Sequence, residues 1–410
     1  MSNRRRQLAL ALALAAVGSP ALSEPRSPGL RPDPASVEAG LWSEVDKAER
    51  HVRQSAELNT DPALNAYVRE VACKVAAQYC PEMRVYVLDR PFMNASMAPN
   101  GYTEVWSGLL LRASNEAELA FVIGHETSHF AENHSIERLR ATKTRANVGL
   151  ALQVGVAVLG VAAASRADTY DEARNIMDST NNLIDVVYLG VIASVFRFTR
   201  EQEAEADRLG LQRATAAGYA SSAAAQIWRE MADETVSSDF ERVRKADAKL
   251  SIFDSHPLTS ARILALDAQA KASSTNGEIG RERYRAAIRP HLSAWLNDDL
   301  RRRDFGETLH ILDRLASTNE DLGVVNFYRG EAYRLRRKDG DLALARKAYA
   351  AAAAYPDAPV ATWRELGDLA SREKDAAAAS AAYEAYLAKA PNAEDVWLVR
   401  DALNSLGHGV

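Results

Sequence analysis

Cysteine and aromatic residues are scarce in this sequence: two cysteines in 410 residues, and 7% Phe, Trp and Tyr. Nor is there a large excess of either charge, and the formal value of −5 argues against a nucleic-acid partner, which calls for a basic surface. No cysteine stands near the amino terminus, so an export signal there is not of the lipoprotein type. The first apolar run, Leu8 to Val17, is too short to span a bilayer. Alanine is plentiful instead, which with few aromatics predicts a mainly helical chain. Hydrophobic and charged contents of 47% and 26% are those of a globular protein. The length exceeds one compact core, so two folded units and a targeting segment are expected.

The targeting segment is residues 1–23. Arg4, Arg5 and Arg6 precede the short apolar run, and Ala21-Leu22-Ser23 offers small residues at the positions a signal peptidase reads. Cleavage there places the chain in the periplasm, with the outer membrane as a further site of association, and makes it more acidic. Residues 24–36, rich in Pro, Ser and Arg, read as a linker. A continuous helix would hold Cys73 and Cys80 roughly 10 Å apart, too far for a disulfide. Pro81 predicts that the helix ends near Tyr79, which lets Cys80 fold back toward Cys73. In an oxidising compartment a disulfide is then expected; two buried thiols are the alternative.

Helical patterning runs from about Val37 to Tyr79. Met83 to Leu88 alternates as a strand, and Pro99-Asn100-Gly101 turns into a second one, Thr103 to Trp106. Asn115 opens a helix, with Glu118 completing a capping box. Two apolar stretches, 148–164 and 183–196, are interrupted by glycine or charge, which favours buried or interfacial helices with at most peripheral membrane contact. Toward the carboxyl terminus Trp363, Leu366, Gly367, Ala379, Tyr383 and Pro391 fall at tetratricopeptide offsets. Gly330, Tyr333, Tyr349 and Pro356 form a preceding copy, and a weaker pair spans Trp295 to Leu315. Stacked pairs of this kind form a concave surface.

His125-Glu126-Thr127-Ser128-His129 carries the chemistry. On a helix, positions i and i+4 share a face, so both imidazoles reach one zinc ion, and Glu126 stands beside it as base for the bound water. The position where a metzincin has its third histidine holds Ser135; His134 misses by one and reads as a surface residue. A later helix, Thr199 to Gly210, offers Glu201, Glu203, Glu205 and Asp207. Glu203 and Asp207 share a face, suiting a ligand and a carboxylate that orients a ligating histidine. By charge alone the same segment is a solvated acidic face.

"GHETSH", "REQEAEADRLG" and "SHPLTSAR" in this order resemble the zinc metallopeptidase family of the CAAX prenyl and HtpX-type proteases, over roughly Val37 to Leu266. The export signal and repeats are similar to its periplasmic, beta-barrel assembly-enhancing branch. The resemblance implies Glu203 as third ligand of one Zn2+ per chain. It puts the family's His-Pro motif on His256-Pro257, followed by Arg262. His256 is then either a donor to the oxyanion or a reversible fourth ligand that closes the resting site. Asn94-Ala95 and Pro99-Asn100-Gly101 match a segment that implies an edge strand for substrate pairing.

The expected fold is mainly α (α+β): a zincin-like helical metalloprotease domain with a small β-sheet over 37–270, then an α-solenoid of tetratricopeptide-like repeats over 280–410. The expected activity is zinc-dependent endopeptidase action on protein or peptide substrates of the bacterial envelope. Envelope assembly proteins would dock on the repeats. A chaperone or scaffold acting mainly through the repeats is the competing reading.

Overall fold

The computed structural model describes residues 25–141, 196–245, 260–273 and 276–407. The expected signal peptide, nearly all of the two apolar stretches, and His256-Pro257 lie outside the described residues. Elements are numbered here over the described residues, among which no helix is long and apolar enough to cross a membrane.

The segment read as a linker is anchored. Arg26 is buried, its N–H donates to the Ala131 carbonyl at 2.6 Å, and its carbonyl accepts from the Tyr79 hydroxyl at 2.8 Å. Helix α1 (Val37–Val52) then starts on a Ser36 cap, and α2 (Pro62–Ala76) on an Asp61 cap with proline in its first turn, where no N–H is needed. The helical patterning expected from about Val37 to Tyr79 is thus carried by two helices. Ala77, at φ +48°, ends α2, and a 3-10 helix over Ala77–Glu82 swings Cys80 back. Cys73 and Cys80 form a disulfide with their Cα atoms 4.7 Å apart.

Strands β1 (Arg84–Leu88), β2 (Ala95–Met97) and β3 (Tyr102–Trp106) form a sheet in the order β1-β3-β2. β1 runs parallel to β3 with Arg84 opposite Tyr102, and β2 antiparallel with Ala95 opposite Val105. The two longer strands match their expected positions; β2 is too short for alternation to reveal it. Helix α3 (Ser107–Arg112) leads to α4 (Glu116–Ala131), capped by the Asn115 side chain on the Glu118 N–H. Every residue of α4 is buried; the run Leu119 to Ile123 is apolar on all sides, and the polar residues at both ends are buried with it. Short α5 (His134–Ala141) follows. Helix α6 (Arg200–Ala216), with the Thr199/Gln202 capping box, packs on α4, and α7 (Ala223–Ser237), α8 (Glu241–Lys245) and α9 (Ser260–Ser273) complete this half.

The remainder is helical: α10 (Arg281–Ile288), α11 (Leu292–Arg301), α12 (Phe305–Ala316), α13 (Leu322–Arg336), α14 (Asp341–Ala352), α15 (Ala361–Arg372), α16 (Ala376–Lys389) and α17 (Val396–Gly407). Gly330 of α13 lies flat against the Tyr349 ring of α14, and Gly367 of α15 against the Tyr383 ring of α16. This equivalent interlock follows from the spacing of the two sequence copies. One hydrophobic cluster runs from Leu64 to Leu369 and so joins the first helices of the array to the preceding half, while Ala370, Ala379, Tyr383, Tyr386 and Val399 form a cluster of their own. Across the seam, buried Arg112 pairs with Glu234 at 2.7 Å and Asp299 at 2.8 Å, and Trp295 donates to Asp89 at 2.9 Å.

Candidate metal centre and active site

The centre lies where α4 and α6 cross. A Cβ on Gly124 would stand 2.9 Å from the Gly210 carbonyl oxygen, and one on Gly210 would stand 2.7 Å from the His125 nitrogen. Two glycines therefore let the backbones approach closely enough for side chains of both helices to converge. From α4 come His125 and His129; from α6 comes Glu203. All three are buried, and together they form a group that could hold a metal ion.

The two Nε2 atoms are 3.0 Å apart, and the Glu203 carboxylate places Oε2 3.5 Å from that of His125 and Oε1 3.5 Å from that of His129. Tetrahedral bonds of about 2.0–2.1 Å would put neighbouring donors about 3.3 Å apart, so these separations fit one small cation. The far side of each ring is engaged. His125 Nδ1 stands 3.0 Å from Asp207, and His129 Nδ1 stands 2.8 Å from His134 Nδ1. Phe198 stacks on His129 at 3.7 Å, and Trp228 meets His125 edge-on at 6.0 Å.

Arg262, from α9, closes the network. Its fork reaches Asp207 at 2.6 and 2.7 Å, and its Nη1 lies 2.8 Å from Glu203. Burial favours a neutral Asp207, but Arg262 and His125 outweigh it and hold the carboxyl at about 2. Burial likewise opposes charge on His125, yet Asp207 and Glu203 raise it to about 9. The carboxylates thus make the position at His125 one that collects positive charge, which is what a cation site requires. Burial also penalises charge on Arg262, and Asp207, Glu203 and Glu126 more than restore it.

The placement of the expected residues is therefore specific. His125, His129, Glu203, Asp207 and Arg262 come together, and Glu126 is the most exposed of the five motif residues, at 7%. His256 lies outside the described residues. Ala95 sits in β2, whose only strand neighbour among the described residues is β3. The Asn94 carbonyl accepts from Trp106 at 2.9 Å. Asn100 is taken up by its turn: its amide donates to Asp46 at 2.6 Å and its oxygen accepts from the Tyr102 N–H at 3.0 Å.

His134 is the residue that the sequence reading misplaced. It is 2% exposed and touches His129. On a continuous helix, residue i+5 lies about 140° away from residue i, so spacing alone points it outward. The signal available was Asn133, a residue that tolerates left-handed backbone and so marks a break after the motif.

The chain is 28% identical over 265 residues to a Vibrio cholerae protein provisionally named beta-barrel assembly-enhancing protease, covering 62% of this chain and 50% of that one. It is 27% identical over 217 residues to the beta-barrel assembly-enhancing protease of Yersinia pestis, covering 52% and 40%. A bovine mitochondrial metalloendopeptidase, OMA1, is 28% identical over 156 residues, 36% of this chain and 26% of its own. The chain thus spans half or less of the length of these curated relatives. The sequence profile of peptidase family M48 matches residues 58–270, more than half of the chain, around the convergent His125, His129 and Glu203, and the chain belongs to that family.

Proposed function

We propose that this protein is a zinc-dependent endopeptidase of the bacterial cell envelope, acting on proteins during outer-membrane assembly or quality control. The observation that carries the reading is the convergence of three buried donors at 3.0–3.5 Å, with the far nitrogen of each ring already engaged. His125, His129 and Glu203 hold the ion; two imidazoles and a carboxylate are a donor set suited to zinc. When bound, zinc supplies Lewis-acid polarisation of water and of the scissile carbonyl.

The chain's own residues do the rest. Asp207, held charged by Arg262, accepts the His125 Nδ1 proton and keeps Nε2 turned to the cluster. Glu126 accepts a proton from the attacking water as its oxygen bonds to the carbonyl carbon. It returns that proton to the amide nitrogen as the C–N bond breaks. The edge of β2 at Ala95, which has no second strand neighbour among the described residues, offers backbone groups to an extended substrate, with Asn100 shaping the adjoining turn. His256 remains the proposed oxyanion donor or closing ligand on the strength of the family's His-Pro motif. The stacked helices α13 to α16 are proposed as tetratricopeptide-like repeats that dock envelope assembly partners. The arginine-led apolar run at residues 4–17 and the beta-barrel assembly-enhancing relatives support periplasmic residence.

Metal analysis and digestion of a casein-type substrate test the reading. Glu126→Gln should retain one zinc per chain and lose about 10²- to 10⁴-fold in cleavage rate. Glu203→Ala should lose the metal. Undiminished cleavage by Glu126→Gln, or a full zinc complement in Glu203→Ala, would overturn the assignment.

A further inference from the structure

The two rings of the proposed centre are oriented by different partners. A carboxylate, Asp207, stands at Nδ1 of His125, whereas at Nδ1 of His129 stands another imidazole, that of His134, at 2.8 Å. We propose that His134 is a positioning residue for His129: its Nδ1 accepts the His129 Nδ1 proton and thereby fixes the tautomer that turns Nε2 to the metal. This rests on the metal-centre reading above and deepens it.

A turn in the chain makes the contact. Helix α4 ends at Ala131, and Asn133 takes φ +57°, the left-handed conformation that asparagine tolerates better than most residues. Its carbonyl accepts from the N–H groups of Ile136 and Glu137, each at 2.9 Å, so α5 starts at once in a new direction. The reversal carries His134 from the outward position of a continuous helix back onto the His129 ring edge.

Proton placement follows from the partners. Two facing ring nitrogens share one hydrogen, so one ring donates and the other accepts. Were His134 the donor, neutral His129 would carry its proton on Nε2 and lose the lone pair a cation needs. Glu205 decides the matter, because its carboxylate lies 3.4 Å from His134 Nε2 and can only accept. The His134 proton therefore sits on Nε2, its Nδ1 is an acceptor, and His129 carries its lone pair on Nε2, the nitrogen that faces His125 and Glu203. Phe198, stacked at 3.7 Å and 14° to the ring plane, steadies the ring without competing for either nitrogen.

The test measures zinc affinity by chelator competition on the full chain, together with metal-free melting temperature. His134→Phe keeps the bulk and removes the acceptor; zinc should bind about 10- to 100-fold more weakly. His134→Asn puts an amide oxygen where Nδ1 was and should stay within about three-fold of wild type. Unchanged affinity in the phenylalanine variant, or equal losses in both, would show that the ring only fills space and would overturn the proposal. Should the phenylalanine variant not fold, Glu205→Ala on the partly open surface carries the test, with a loss of about three- to ten-fold expected and no loss overturning it. A wild-type chain that takes up no zinc would instead overturn the metal centre itself.

Discussion

Gly124 and Gly210 meet back to back where α4 crosses α6, with the Gly210 carbonyl oxygen 2.9 Å from the place a Gly124 Cβ would occupy. This contact sets the depth at which Glu203 reaches the two histidines. Gly210→Ala must push the helices apart, because the obstruction is His125 backbone at 2.7 Å and 2.9 Å rather than a flexible side chain. The expected loss is about 1–3 kcal/mol of stability, with weaker zinc binding. Gly40, exposed in α1 with nothing within 4 Å of its Cβ position, is the control. Gly40→Ala should stabilise by about 0.5–1 kcal/mol and leave zinc affinity alone. Urea unfolding and metal competition on both variants check the pair.

Glu118 links the amino end of α4 to pH. Burial pushes its carboxyl up to about 7, against the bonds it accepts from the Ser114 N–H at 2.7 Å and the Asn115 amide at 2.9 Å. Its folded pKa thus lies above the unfolded value, so the folded state holds the extra proton. This contribution is full below about 4.5, declines as pH rises, and is gone above about 7. Glu118→Gln removes the titration. The variant should gain on wild type between pH 5 and pH 8 by on the order of 3 kcal/mol, read from denaturant midpoints at the two values. Ligand protonation is common to both proteins and cancels in the difference.

Arg112 ties the two halves together. Its guanidinium bonds Glu234 and Asp299 in a seam closed to water. Arg112→Met removes the cation that bridges both buried carboxylates and leaves them to Arg302, 2.8 Å from Asp299 and 4.0 Å from Glu234, so the cost is about 3 kcal/mol, the low end for a broken buried pair. The loss should appear as a lower melting temperature and as earlier protease cleavage between α9 and α13. A fragment of residues 280–410 would expose Tyr284 and Trp295, both fully buried in the intact chain, and should aggregate.

The Cys73–Cys80 disulfide closes a short loop at the end of α2, the helix that packs on α4. The loop-entropy relation for a ring of this size gives about 2.5 kcal/mol. Reduction, or Cys73→Ser with Cys80→Ser, should lower the melting temperature by that equivalent without abolishing zinc binding, since neither cysteine belongs to the group formed by His125, His129 and Glu203.

Much of the chemistry was legible in the sequence because it is written at short range. A four-residue spacing puts His125 and His129 on one face of any helix, and Asn115 with Glu118 fixes where that helix starts. Pro81 marked the reversal that lets the cysteines pair. What spacing could not decide was contact between distant segments. On charge alone α6 is as good a solvated face as a ligand helix; close approach at Gly210 buries Glu203 and Asp207 and settles which face turns inward. His134 looked outward for the same reason, until the left-handed turn at Asn133 reversed the chain. Local sequence determined which groups could bind a metal, through helical periodicity and capping. Only tertiary structure decided which of them meet, because packing distance between helices and the direction of a break depend on residues far from the motif.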